Sequence, residues 1–265
     1  MQNNQSSSIL KEYSKYVNEL IRRLLIPFIL FIVLLLFIMF FKFNRIDFKG
    51  LYIYYPYPSL VNSTSVYIFK KIREFMLPKG MILISINAFD PLISSLYTSS
   101  LISSILSSPL WIYEIYAFLF PALTPKERSA IKKFIVPSII LFLTGALFAY
   151  FIVLPALFKF MYYLNLGEGV VPSLSIRAFM STVLSFVIML GLSFEYPIVI
   201  VALTYIGFAD YKTWLKYWRY AVALSFIIAL IISPGATGGI IETIIGLTLS
   251  GLYFLGVLIS KYIKR

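Results

Sequence analysis

An all-α integral membrane protein of six transmembrane helices is the fold class that this sequence predicts, on two observations. Hydrophobic residues make up 60% of the 265 and charged residues 13%, with a mean hydropathy of +0.89. Soluble domains carry about 25% charged and about 45–50% apolar residues, so a chain of this size could not cover itself with polar surface. The charges are also clustered. None falls between Arg23 and Lys42, Asp90 and Glu114, Lys133 and Lys159, Arg177 and Glu195, Glu195 and Asp210, Arg219 and Glu242, or Glu242 and Lys261. A hydrocarbon core about 30 Å thick needs roughly 20 apolar helical residues, and these gaps supply six such runs in one membrane domain spanning 1–265.

The first helix takes 24–42. It follows a polar Gln/Asn/Ser start and a head bearing Lys11, Glu12, Lys15 and Glu19. No small-residue cleavage site follows it, so it is expected to remain as an anchor rather than be removed. Residues 43–90 form a long loop. Within it, Val66, Phe69, Ile72, Phe75 and Met76 recur at helical spacing, which predicts a short interfacial helix lying on the leaflet or capping the bundle. Tyr52, Tyr54, Tyr55 and Tyr57 suit an aromatic interface belt.

The second helix, 92–120, places Ser95, Ser99, Ser103 and Ser107 four residues apart, with Ser100, Ser104 and Ser108 beside them. That is a smooth face for close helix packing, with a polar translocation surface as the sharper reading. Helix three covers 133–163 and contains Pro137 and Pro155; helix four covers 178–207 and contains Pro197. The fifth and sixth, 214–232 and 240–260, are barely long enough to cross, and the breaker stretch 233–239 divides them. That stretch lacks the lysine and hydroxyl of a phosphate loop, so it reads as a turn.

An even number of helices puts both termini on one side. That side holds 14 of the 23 Lys and Arg: Lys11, Lys15, Arg22 and Arg23; Lys126, Arg128, Lys132 and Lys133; Lys212, Lys216 and Arg219; Lys261, Lys264 and Arg265. Basic excess marks the cytoplasmic face, so both termini are expected there, with 43–90 outside. The net charge of +12 follows from this bracketing and points to anionic lipid head groups rather than nucleic acid. The chain has neither cysteine nor histidine. That excludes disulfides, thiol nucleophiles, Cys/His zinc sites and imidazole acid–base chemistry. Neither an enzyme nor a cofactor is expected.

Glu195 is the most informative single residue. It lies about 12 residues, or roughly 18 Å, before the end of helix four, near mid-bilayer. A carboxylate there is costly unless it is paired, protonated or facing water, which makes it a functional candidate. Glu114 and Glu242 fall nearer the surfaces, where snorkelling explains them. Taken alone, Glu195 also fits a proton-coupled small-solute transporter.

The run Phe118-Leu119-Phe120-Pro121-Ala122-Leu123-Thr124-Pro125-Lys126-Glu127-Arg128 resembles the signature of the TatC family, the multispanning component of twin-arginine protein translocation. Phe142, Gly145, Phe148-Ala149-Tyr150 and Pro155 are similar to its third helix, and Tyr16–Leu24 to the motif opening its first. Gly191–Pro197 is similar to its fourth-helix motif, and Ile232-Ser233-Pro234 to the turn before its sixth.

The resemblance implies a curved, glove-shaped bundle in the plasma membrane. It implies a receptor for twin-arginine signal peptides and a scaffold for exporting folded proteins, driven by the proton-motive force. Glu19 and Glu127 match the acids that bind the paired arginines. Phe118, Pro121, Leu123, Arg128 and Arg23 fall in the same matched motifs, and Glu195 matches the intramembrane acid, expected to be a polar docking point. Single-span TatA/TatB-type subunits and further copies of the chain are the implied partners.

The topology is testable by substituted-cysteine labelling, which is clean in a chain without native cysteine. A Lys126→Cys variant should be protected from an impermeant reagent applied outside intact cells, and a cysteine in 43–90 should be labelled. Labelling at 126 from outside would invert the topology.

Overall fold

The computed structural model describes residues 2–48, 51–124, 128–129, 132–233 and 238–262. The expected helices are present, with five differences that have local physical causes. Helix α1 runs from Gln2 to Phe40, far longer than 24–42. Nothing in the polar head breaks a helix, so the membrane segment Tyr16–Phe40 continues into it.

At Phe41, where the sequence predicts loop, the chain turns into a β-hairpin. Strand β1 (Phe41–Phe48) pairs antiparallel with β2 (Leu51–Pro58), from Phe41 opposite Pro58 to Phe48 opposite Leu51. The phenylalanines, tyrosines and isoleucines in these strands favour extended backbone. The Ser59 amide donates to the Phe40 carbonyl at 2.8 Å, and the Thr64 hydroxyl donates to Phe41 O at 2.8 Å, closing the hairpin onto the end of α1.

Helix α2 (Thr64–Met76) caps the bundle rather than lying on lipid. Ile72 and Met76 are buried in the main core, and the Phe69 ring meets Phe179 edge to face at 6.1 Å. Beyond it, β3 (Ile82–Ile84) runs parallel to β4 (Ser173–Ser175), tying together the two loops on the hairpin face.

Helix α3 (Asp90–Leu119) packs on α1 and α2 and carries the serine face. Ser99, Ser103 and Ser107 are fully buried. The Ser99 and Ser107 hydroxyls donate back to the carbonyls of Ser95 and Ser103 at 2.9 and 2.6 Å. A hydroxyl spent on its own helix leaves a small, smooth surface. This is the packing reading.

Helix three is two segments in one span. Helix α4 (Ile135–Phe148) passes through a π turn, Ala149–Val153, into α5 (Leu154–Gly167). Pro155 has no amide to give the preceding turn, and a widened turn accommodates its ring. Helix four is interrupted as well: α6 (Ile176–Ser193) ends just before Phe194 and Glu195, and α7 runs Tyr196–Tyr205 with Pro197 in its first turn. The interruption is shallow, because Phe194 and Glu195 keep right-handed helical dihedrals.

The fifth helix is shorter than expected. Trp214 belongs to a separate helix α8 (Tyr211–Lys216), and α9 spans only Trp218–Ile232. The Trp214 indole donates to the Thr204 hydroxyl at 2.8 Å, and the Tyr253 hydroxyl donates to the Trp214 carbonyl at 2.6 Å. Those bonds hold α8 against the bundle and start α9 later. Its 15 residues give roughly 22 Å, short of a full hydrocarbon core. Helix α10 (Ile240–Ser260) completes the bundle against α9 and α7. Among the described residues, five spans are long and apolar enough to cross a membrane, and α9 is a shorter apolar helix.

Phe158, Phe179, Val183, Leu190, Ile241 and Ile245 form the centre of the core. Ile29, Val33, Ile140, Ile227 and Leu247 are exposed, as lipid-facing positions require. Gly145 sets the closest approach of α4 to α6: a Cβ there would lie 2.6 Å from the Leu190 carbonyl oxygen. Gly145→Ala should therefore destabilise the fold by about 1–3 kcal/mol, the usual cost of overpacking. Gly251→Ala, with nothing within 4 Å, should be neutral. Thermal unfolding of the two variants in detergent checks the contrast.

Candidate functional site

Three features meet where the membrane segment of α1 begins and α3 ends, on the terminal side of the molecule. The first is an ion cluster. Glu19 and Arg23 are one turn apart on α1, the spacing that brings side chains together. The Arg23 Nε and Nη2 groups both reach Glu19 Oε1 at 3.1 Å, and Nη1 reaches Glu114 Oε2 on α3 at 3.5 Å. Asn18, Arg22 and Ile26 complete a polar pocket of about 520 Å³. The side chain of Glu114 is only 10% exposed, against 35% for Glu19 and 31% for Arg23. Snorkelling does not describe Glu114: it is a buried acid held by a guanidinium from the neighbouring helix.

The second feature is the loop after α3. Phe118 is half-buried, Pro121 is exposed in the short 3₁₀ turn Phe120–Ala122, and Leu123 is half-buried. Phe120 is buried with Ala117 against Tyr116, Leu123 and Phe134. The Arg128 guanidinium lies 5.2 Å and the Lys132 ammonium 5.9 Å from the centre of the Phe120 ring, so one aromatic ring gathers two cations. The Arg128 amide donates to Thr124 O at 2.9 Å. Glu127 lies outside the described residues, as do Pro125 and Lys126.

The third feature is an apolar concavity of about 850 Å³. Phe28 and Phe31 of α1 line it, with Trp111 and Ile115 of α3, Phe142 of α4 and Leu192 of α6; Leu123 joins them from the loop. Glu195 supplies the carboxylate on its wall. Its depth in the fourth span comes with a polar relay: the Ser138 side chain lies beside the Glu195 carboxylate, and the Ser138 and Tyr116 hydroxyls are 2.8 Å apart. Glu195 Oε1 is buried with no hydrogen-bond partner among the described residues, so one carboxylate oxygen still lacks a donor. Tyr116 and Ser138 were not singled out in the sequence. The relay crosses from α3 to α4 to α6–α7, and no spacing within one helix announces it.

Glu242 departs from its expected place. It is buried at the start of α10 and accepts a hydrogen bond from the Ser233 hydroxyl at 2.9 Å. Among the described residues, no group of three or more Asp, Glu, His or Cys could hold a metal ion.

A family model described as Sec-independent protein translocase protein (TatC) matches residues 15–245. The chain belongs to the TatC family. That match takes in the ion cluster, the loop after α3, the concavity with Glu195, and Glu242.

Among curated TatC relatives, that of Cenarchaeum symbiosum (strain A) is 28% identical over 96% of both chains. That of Aquifex aeolicus (strain VF5) is 31% identical over 75% of this chain and 83% of its own. The Escherichia coli (strain K12) protein is 30% identical over 70% and 71%. Two crystal structures of the twin-arginine translocase receptor TatC superpose with TM-scores of 0.71 and 0.72, the second in DDM. Sequence identities are 27% and 28%; both cover 93% of this chain, and 98% and 99% of their own. The TatC fold and a place in a translocase family follow, in a multi-pass membrane protein.

The relay generates a coupling prediction. Ser138→Ala removes a hydroxyl beside a partly buried carboxylate and should cost about 1–3 kcal/mol of stability. In a Glu195→Ala background the same change should cost clearly less. A thermal-unfolding double-mutant cycle in detergent reads the difference, and additive costs would dissolve the relay.

Proposed function

We propose that this chain is the twin-arginine signal-peptide receptor and core scaffold of a translocase for folded proteins, acting as one six-helix membrane domain. One observation carries the reading: the carboxylate cluster and the apolar concavity are built side by side from α1 and α3. Glu19 and Glu114 line the polar pocket, while Phe28, Phe31 and Ile115, close by on the same two helices, line the concavity. A carboxylate meets an arginine fork with charge-assisted hydrogen bonds, and an apolar wall accepts an apolar segment. That order, charge then grease, suits a peptide with paired arginines followed by a hydrophobic stretch.

In this reading Glu19 and Glu127 take the arginines, with Phe118, Pro121 and Leu123 shaping the entrance and Arg23 and Arg128 bordering it. The terminal side faces the cytoplasm of a plasma-membrane protein, as the basic excess there supports. Glu195 offers its unpartnered oxygen to a donor on an inserted helix, either the signal peptide or a single-span TatA/TatB-type subunit. Further copies of the chain and anionic lipids complete the assembly. The proton-motive force drives transport, and the chain itself catalyses no covalent step. The family assignment leaves the solute-carrier alternative without support.

Glu19→Ala and Glu127→Ala should each weaken binding of a twin-arginine signal peptide by about 10- to 150-fold, since hydrogen bonds to charged groups contribute roughly 1.5–3 kcal/mol. Both variants should stay folded. Unchanged cross-linking in the double variant, at normal expression, would remove these residues from the site. For Glu195, Gln retains hydrogen bonding and should keep most reporter export, while Ala should lose more, with peptide capture nearly intact in both. A Gln variant dead in export yet normally cross-linked to its single-span partner would refute docking.

A further inference from the structure

The ion cluster holds its own arginine where a peptide arginine is expected. We propose that Arg23 is a resident guanidinium that an incoming arginine must displace from Glu19, and that Glu114 is the carboxylate that keeps it once displaced. The inference rests on the receptor reading above and adds a specificity device to it.

The geometry supports an exchange rather than a fixed bridge. Arg23 is shared unequally, with two contacts of 3.1 Å to Glu19 and one of 3.5 Å to Glu114. Glu114 is the more deeply buried acid, so it is the one that cannot be left without a cation. Glu19 is about a third exposed and can turn to a new partner at the pocket mouth. When a peptide guanidinium takes Glu19, Arg23 shortens its contact to Glu114, and neither buried group is stranded. The exchange trades one guanidinium–carboxylate pair for another, so its net cost stays small.

The same device discriminates between cations. Arg22 and Arg23 both face this pocket, so any entering cation meets positive charge. An arginine replaces the two-contact grip on Glu19 with an equivalent planar fork. A lysine offers a compact, strongly hydrated ammonium that cannot reproduce that grip. Arg23 thus acts as a positioning residue that makes Glu19 selective, and Glu114 acts through Arg23 without touching the peptide.

The test uses the full chain in nanodiscs and a fluorescent signal peptide carrying either paired arginines or paired lysines. Glu114→Gln leaves Arg23 dependent on Glu19 alone, and should weaken twin-arginine binding about fivefold, the size of a partly exposed ion pair. Adding Arg23→Gln removes the competitor, so the double variant should return to within about twofold of the parent. The double variant, which leaves no buried charge unpaired, should also lose the arginine-over-lysine preference at least severalfold. Unchanged binding in Glu114→Gln, or no rescue in the double variant, would overturn the exchange. Rescue separates it from a direct peptide contact or a purely structural role for Glu114, since neither is repaired by deleting Arg23. Should Glu114→Gln not fold, the preference measured in the Glu114→Gln/Arg23→Gln double variant, which strands no buried charge, decides.

A parent chain that binds neither peptide would overturn the receptor reading itself. Guanidinium rotation of Arg23, followed by side-chain ¹⁵N NMR without peptide, tests the clamp separately. It should be hindered in the parent and freed only when both acids are removed, in Glu19→Gln/Glu114→Gln; free rotation in the parent would remove the clamp.

Discussion

Hydrocarbon offers no hydrogen-bond partner, and most of this architecture answers that constraint. Serine is abundant in α3, yet its hydroxyls turn back to carbonyls of their own helix, as at Ser99 and Ser107. Thr204, Ser225 and Ser250 do the same in α7, α9 and α10. Glu242 at the start of α10 accepts from Ser233, and Trp214 from α8 finds Thr204. Where the rule is incompletely met among the described residues, at Asp90 Oδ1, the Ser103 hydroxyl and Glu195 Oε1, the exceptions stand out against a satisfied background. Glu195 lies on the wall of the apolar concavity, which is where an unfinished hydrogen bond has use.

Shape follows from small residues and prolines. Gly145 and Gly191 bring α4 and α6 within reach of each other's rings and backbone, and Gly256 brings α10 onto Pro197 of α7. Pro155 and Pro197 interrupt the third and fourth spans without ending them. The bundle is therefore dense along the α4–α6 and α7–α10 seams and hollow between α1, α3 and α6. The hollow has apolar walls and a charged edge, a combination that neither feature would provide alone.

Charge on the terminal side is balanced locally rather than spread evenly. Arg23 draws two acids from two helices, and Phe120 gathers Arg128 and Lys132 over one ring. In a chain with +12 net charge, carboxylates on this face are scarce, so each one's partner matters to what the face can bind.

The amino-acid sequence by itself determined the membrane class, the number and order of apolar helices, the amphipathic helix after the first span and the family; that this helix caps the bundle was left to the fold. Each depends on composition, local periodicity or contiguous motifs, which a linear string records. Tertiary structure alone decided the rest. The β-hairpin at 41–58 depends on two strands finding each other, and the late start of α9 on Trp214 being held by Thr204 and Tyr253. Glu114 read as a surface acid because its partner is 91 residues away, and the Tyr116–Ser138–Glu195 relay joins residues from three spans. Pairings across helices leave no periodic trace in the sequence, because hydrogen bonds and ion pairs are set by distance in space and not by separation along the chain.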